Sequence, residues 1–367
     1  MKELRIKDIC DKGSSNLRQK DVEGKDGLYP VYGASGIISH IDTYHQEDNY
    51  IAIVKDGSGI GRVTFMPAKS SVIGTMQYIL PKKGFDINYI GYCLQSLDLS
   101  KYKQGAAIPH IYFRDYGERI VNVTEDINEQ QSIVEYLDSA FAKIDAMKVN
   151  AEKALNEAKT LFQASLREML EPKEGWEEKM LKEFSIISGN YGLSVPATEY
   201  NGIRYLRITD ITEWGDLNEE KVSAKLDGEK EQELLEEGDL LFARTGATVG
   251  KTLLYKEAFG KCLFAGYLIR YRLDKEIVLP SFMFYVTHSD KYYNWVWKNQ
   301  KAAAQPNISA KLYNEYVVSF PSLSEQQSIV ETLDSLKSKV DKLQANYDKI
   351  SQECDALKQS ILRQVFE

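Results

Sequence analysis

The chain has 367 residues, of which 43% are hydrophobic and 27% charged, and a formal net charge of −8. That length allows two domains or more, each with its own core, and no apolar run approaches the roughly 20 residues that cross a bilayer. Net negative charge does not foretell a nucleic-acid partner, but it describes an average field and leaves a local basic groove permitted.

No signal-peptide pattern opens the chain, and the four cysteines (Cys10, Cys93, Cys262, Cys354) are far apart with no Cys-x-x-Cys pair. A disulfide framework or zinc ribbon is not expected, and a reducing cytoplasm is the expected compartment. The four histidines are equally scattered, so no metal site is expected.

In chain order the sequence divides into 1–125, 126–172, 173–320 and 321–367. The first segment holds an apolar, strand-like run, Tyr50-Ile-Ala-Ile-Val54, that leads into a Gly-rich turn from Lys55 to Arg62. The third holds Asp239-Leu-Leu-Phe-Ala243, leading into a turn from Arg244 to Lys251. Both turns read basic-x-Gly-small-x-β-branched-Gly-basic. The structural reading is a tight hairpin with glycine at positive φ. The functional reading is a loop whose N–H groups and cations (Lys55, Arg62, Arg244, Lys251) meet phosphate. The two are compatible. The second turn resembles a P-loop but has three residues between its glycines where a P-loop has four, so nucleotide binding is not expected there. A second matched pair follows: Gly105-Ala-Ala-Ile-Pro109-His-Ile111 and Ala302-Ala-Ala-Gln-Pro306-Asn-Ile308. Short strand signals rich in Val, Ile, Tyr and Phe predict α+β halves with mostly antiparallel sheet.

Segments 126–172 and 321–367 each predict one long helix, and together they carry six of the eight net negative charges. From Glu129 to Glu171 and from Glu325 to Glu367 the two align without a gap, with 20 of 43 positions identical, beginning Glu-Gln-Gln-Ser-Ile-Val-Glu. Duplication explains this. Asn128 and Ser324 are the expected caps, each with a Gln three residues on, as in a capping box. Apolar residues alternate at four and three. The predicted seam is Ile133, Leu137, Ala140, Ile144, Met147, Ala151, Ala154, Ala158 and Leu161 in one helix. In the other it is Ile329, Leu333, Leu336, Val340, Leu343, Tyr347, Ile350, Cys354 and Leu357. The first seam is alanine-rich and the second bulky, so the two fill space best against each other. An intramolecular antiparallel coiled coil is expected, with Ala140 beside Cys354, Met147 near Tyr347 and Ala158 near Leu336. The expected fold is thus α+β: two globular domains separated by two long paired helices, in an internal pseudo-twofold repeat.

This order of parts resembles the specificity subunit of type I restriction-modification systems. The resemblance rests on Gly238-Asp-Leu-Leu-Phe-Ala-Arg-Thr-Gly246, Gln305-Pro-Asn-Ile-Ser309, the stretch Gly175-Trp176 to Phe184, and Pro321-Ser-Leu323 before the second Glu-Gln-Gln. The first half departs from it: there is no Gly-Trp opening, and Lys55-Asp56 stands where the family more often has Arg-Thr or Arg-Ser. The resemblance implies a non-catalytic subunit in which 1–125 and 173–320 are target-recognition domains. Each would read one half of a split, asymmetric target in double-stranded DNA. The helices would set the spacing and dock methyltransferase subunits, and restriction (translocase-nuclease) subunits would join. This chain would bind no cofactor; S-adenosylmethionine, with ATP and Mg, would serve the partner subunits. The absence of any Pro-Pro in the sequence agrees, because an adenine-N6 methyltransferase needs an Asn/Asp-Pro-Pro-aromatic motif. From the chemistry of base edges and phosphates, the expected DNA contacts are Lys55, Ser58, Arg62, Arg244, Thr245, Thr248, Lys251, Gln305 and Asn307. Tyr191, Tyr292, Tyr293 and Trp295 could stack, although a core role suits most of them better. A rival from another class is a coiled-coil adaptor that binds protein only.

Overall fold

A computed structural model describes residues 1–105, 109–226, 234–300 and 306–367. The chain divides into two compact units, one of Met1–Lys153 with Ala345–Glu367 and the other of Ala154–Gln344. The two long helices run Ile127–Leu170 and Leu323–Phe366. Each unit therefore contains the N-terminal part of one helix and the C-terminal part of the other.

The units repeat the same topology. In the first, strands Cys10–Ser14, Met76–Pro81, Tyr50–Val54 and Val63–Met66 form an antiparallel sheet in that order. In the second, Ser185–Tyr191, Leu268–Leu273, Leu240–Ala243 and Thr252–Leu254 do the same. The central strands Tyr50–Val54 and Leu240–Ala243 are buried at every position, which explains their unbroken apolar runs. Each unit also pairs its opening strand with the strand that precedes a long helix: Lys2–Arg5 with Ile120–Val123, and Glu177–Met180 with Val317–Phe320. A short parallel pair completes each: Tyr29–Gly33 with Ser71–Val72, and Arg204–Leu206 with Cys262–Phe264.

The helices start earlier than their sequence suggests. Asp126 accepts from the Asn128 N–H at 2.9 Å, and Ser322 from the Glu325 N–H at 3.4 Å, so these residues cap in place of Asn128 and Ser324. The first Gln of each Glu-Gln-Gln is then completely buried and ties its helix to the adjoining globular fold. Gln130 donates to the carbonyls of Gly84 and Thr124, both at 3.0 Å, and accepts from the Asp86 N–H at 2.7 Å. Gln326 donates to Ile277 and Pro321 at 3.0 and 2.9 Å and accepts from Leu279 N–H at 2.8 Å. About two helical turns further on, the core takes Leu137 in one unit and Leu333 in the other, both fully buried. Two turns beyond each Gln, Asp138 accepts from the Tyr92 hydroxyl and Asp334 from the Tyr285 hydroxyl.

The helices are paired and antiparallel within each unit. In the first, Lys148 pairs with Asp355 at 3.8 Å and Lys358 with Asp145 at 2.5 Å, while Cys354 donates to the Ile144 carbonyl at 3.7 Å. In the second, Lys159 donates to Gln344 at 2.9 Å. The register therefore differs from expectation by about one to two and a half turns: Cys354 lies beside Ile144, not Ala140, and Lys159 bonds Gln344 although the expected register places Leu336 beside Ala158. Ile144, Leu155, Phe162, Leu166, Val340, Cys354, Leu362 and Phe366 are buried, Ile133, Leu336, Leu343 and Tyr347 half-buried. Met147, Leu161 and Leu357 stand exposed instead of in the seam. The cause is helical drift. A straight helix gains about 20° per heptad against a strict 3.5-residue repeat, so the buried stripe steps from Ile144 through Lys148 to Leu155 and Phe162.

Candidate nucleic-acid interface

The two Gly-rich turns fold to one main-chain plan. Gly57, Gly61, Gly246 and Gly250 all have φ between 73° and 89°, the left-handed region that glycine enters without steric cost. The Gly61 N–H donates to Val54 at 2.8 Å, and the Gly250 N–H to Ala243 at 2.9 Å. Each turn is then joined by the Pro-x-Ile segment of its own half. The Gly57 N–H donates to Pro109 and the Gly246 N–H to Pro306. In return, the Ile111 N–H donates to Lys55 and the Ile308 N–H to Arg244, both at 2.9 Å. The two matched stretches of sequence are thus the two sides of one loop pair, built twice.

This plan engages many of the turn amides that could have cradled a phosphate. The N–H groups of Gly246, Val249, Gly250 and Lys251 all bond carbonyls within the loop pair and its strand, as do those of Gly57, Gly61 and Arg62. The side chains of the two turns are the other source of phosphate contacts.

Those side chains differ between the halves. In the second, the Arg244 guanidinium lies over the Tyr191 ring at 4.9 Å and donates through Nε to Asn307 Oδ1 at 3.2 Å. Thr245 donates to the Pro306 carbonyl at 3.2 Å, and Thr248 to the Thr245 carbonyl at 3.3 Å. Arg244, Thr245, Thr248 and Asn307 are thus gathered at one place, with Lys251 half-buried where the turn rejoins the sheet. Beside them opens a cavity of about 650 Å³ whose polar lining comes from Ser194, Tyr205, Arg207, Thr209 and Arg244, with Tyr267 61% exposed at its edge. Arg207 is held by buried Asp210 through two bonds of 3.1 and 2.7 Å, which raise its pKa further. Gln305 lies outside the described residues.

In the first half, Asp56 meets His110: Asp56 Oδ1 lies 2.5 Å from His110 Nδ1. The His110 ring stacks on Tyr112, and Arg114 lies over Tyr112 at 4.7 Å. Lys55 is half-buried, Ser58 is exposed at the tip of the turn, and Arg62 donates to the Ala34 carbonyl at 2.9 Å. Asp56, His110 and Tyr267 were not among the residues expected from sequence. The signal for His110 was present, since it aligns with Asn307 in the matched Pro-x-Ile pieces; Tyr267 carried none.

Of the four aromatic residues weighed for stacking, Tyr191 lies 42% exposed under Arg244. Tyr292 is fully buried and donates to Gly250 at 2.9 Å, so it belongs to the core and holds the turn from below. Trp295 packs on Tyr313 and Tyr316, and Tyr293 against Tyr292. Among the described residues no group of three or more His, Cys, Asp and Glu is placed to hold a metal ion, and no helix is long and apolar enough to cross a membrane.

The sequence profile of the family described as "Type I restriction modification DNA specificity domain" matches residues 1–157 and 173–352. The chain is 25% identical over 268 residues to the EcoBI specificity subunit of Escherichia coli, covering 65% of this chain and 56% of that protein. It is 25% identical over 309 residues to the StySPI specificity subunit of Salmonella potsdam, covering 78% and 66%. The chain thus spans between about half and two thirds of these relatives. A chain from a solved type I R-M system shares the fold at a TM-score of 0.73, with 16% identity and coverage of 98% of this chain and 96% of that one.

Proposed function

The chain belongs to the type I restriction modification DNA specificity domain family, and from that premise we propose that it is the DNA-reading subunit of a restriction-modification complex. Each globular half reads one part of a split, asymmetric target in double-stranded DNA. The paired helices set the spacing and dock adenine-N6 methyltransferase subunits, and through them restriction subunits. The chain itself performs no chemistry. S-adenosylmethionine, with ATP and Mg, is used by those partners, and the complex works in the cytoplasm.

The observation that carries this reading is the duplicated loop pair. One main-chain frame occurs twice, with a cation at the same place in each (Lys55 and Arg244) and different polar side chains beside it. A binding module for one ligand would have no use for two divergent copies of one site. A reader of two unlike DNA segments needs that divergence. Phosphate contacts fix a protein on the duplex, and base contacts give it sequence.

The test is co-expression with the cognate methyltransferase subunit, followed by methylome sequencing of the host. A two-part methylated motif with a fixed spacer is expected, lost when this chain is omitted. Methylation that is absent, or that does not depend on this chain, would refute the proposal.

A further inference from the structure

The two loop pairs share Gly57 with Gly246, Gly61 with Gly250, Pro109 with Pro306, Ile111 with Ile308 and the main-chain bonds that join them, and among the positions that differ are Asp56 and His110 in one and Thr245 and Asn307 in the other. What two copies share serves to position, and what they do not share is available to distinguish. This step rests on the DNA-reading function proposed above. We infer that His110 and Asn307 are the residues through which the two halves read different bases, and that their internal hydrogen bonds give them opposite polarity.

The polarity of Asn307 follows from Arg244. An arginine has donors only, so the amide atom facing its Nε at 3.2 Å is the oxygen Oδ1. The amino group Nδ2 then points away from Arg244 with two donors, and no described residue accepts from it. Such a group suits an acceptor edge: guanine O6 or N7, adenine N7 or thymine O4 in the major groove. It cannot make the two-bond contact with adenine that a free carboxamide makes, because its oxygen is engaged.

The polarity of His110 follows from Asp56. A carboxylate accepts, so His110 Nδ1, 2.5 Å from Asp56 Oδ1, carries the hydrogen of that bond. The bond selects the imidazole tautomer in which Nε2 is an acceptor, and no described residue donates to it. The side chain is 39% exposed, and the Tyr112 stack fixes the plane of its ring. Nε2 suits an amino edge: adenine N6 or cytosine N4.

The test uses the complex with its methyltransferase subunits and duplexes carrying the motif found by methylome sequencing. Bases of each half-site are replaced singly by analogues that lack one edge group. These are 7-deazapurines for N7, purine riboside for the adenine amino group and 2-pyrimidinone for the cytosine amino group. In the half-site read by the first half, removal of one amino group is expected to cost about tenfold in binding. In the other, removal of an acceptor costs about as much. His110→Ala abolishes the first sensitivity and leaves the second intact; Asn307→Ala does the reverse, so each half serves as the folding control for the other. The inference is overturned if no position shows the expected polarity, or if the sensitivities survive in both variants. A wild-type complex that shows no sequence preference at all would instead overturn the proposed function.

Discussion

Gln130 and Gln326, equivalent positions of the duplicated helix, are both fully buried, and each makes two donor bonds and one acceptor bond to the chain it anchors. Among small neutral side-chain heads, a carboxamide is the one that supplies two donors together with an acceptor. Glu in that place would put a buried carboxylate against two carbonyl oxygens. Gln130→Ala is expected to leave the Gly84 and Thr124 carbonyls and the Asp86 amide without their partner, and Gln326→Ala does the same in its unit. The cost is about 2–4 kcal/mol for either change. Urea unfolding monitored by hydrogen exchange should show the loss in the unit that carries the change. A loss below about 0.5 kcal/mol would show that the clamp is dispensable.

Arg244 has little to do with stability. Its guanidinium is held by one hydrogen bond and one aromatic face at the edge of a cavity. Arg244→Ala is expected to change stability by no more than about 1 kcal/mol, to weaken DNA binding, and to lower the salt slope of log K by about one. A folded variant with unchanged affinity and slope would remove Arg244 from the interface.

His288 is stacked on Trp214 at 4.9 Å and enclosed by Phe284, and this burial lowers its pKa below the ordinary histidine value. The nearby charges are Lys337, whose ammonium lies over the Trp214 ring, and the acidic Asp216, while the Glu213 backbone hydrogen-bonds the ring. The folded form thus binds its proton more weakly than the unfolded chain. The contribution is complete above the unfolded value near 6.5 and is lost as the pH falls below it, at no more than about 1.4 kcal/mol per pH unit. Denaturant titrations between pH 7.5 and 5 should show that slope, and His288→Phe should reduce it. A variant with an unchanged slope would assign the pH dependence elsewhere.

All four cysteines are buried and unbridged. Burial raises the thiol of Cys10 to about 12 and that of Cys262 to about 11, and it raises Cys93 as well. The thiolate is the reactive form, so these three should resist a thiol reagent at pH 8 until the protein is unfolded. Fast labelling of any of them in the native protein, followed by mass spectrometry, would contradict the burial described here.

How much was legible in the sequence follows from what each signal depends on. The helices, their duplication and the strands before each Gly-rich turn depend on local periodicity, and they appear where the pattern puts them. The caps were misplaced because Asp126 and Ser322 compete with Asn128 and Ser324 within two residues. The outcome depends on where the buried Gln must point. The stripe was misplaced at Met147, Leu161 and Leu357 because alternation at four and three residues does not reveal drift.

The sequence by itself determined that there are two copies of one unit, that each carries a glycine-defined turn with a cation at its start, and that each includes a long amphipathic helix. These are properties of neighbours along the chain. Only the tertiary structure decided that the turn meets the Pro-x-Ile segment of its own half, about fifty to sixty residues later, and that His110 finds Asp56 while Asn307 finds Arg244. It also decided which atom of Asn307 faces inward. A side chain's residue type gives its donors and acceptors, but which of them remain for a ligand depends on the partners that folding has already supplied.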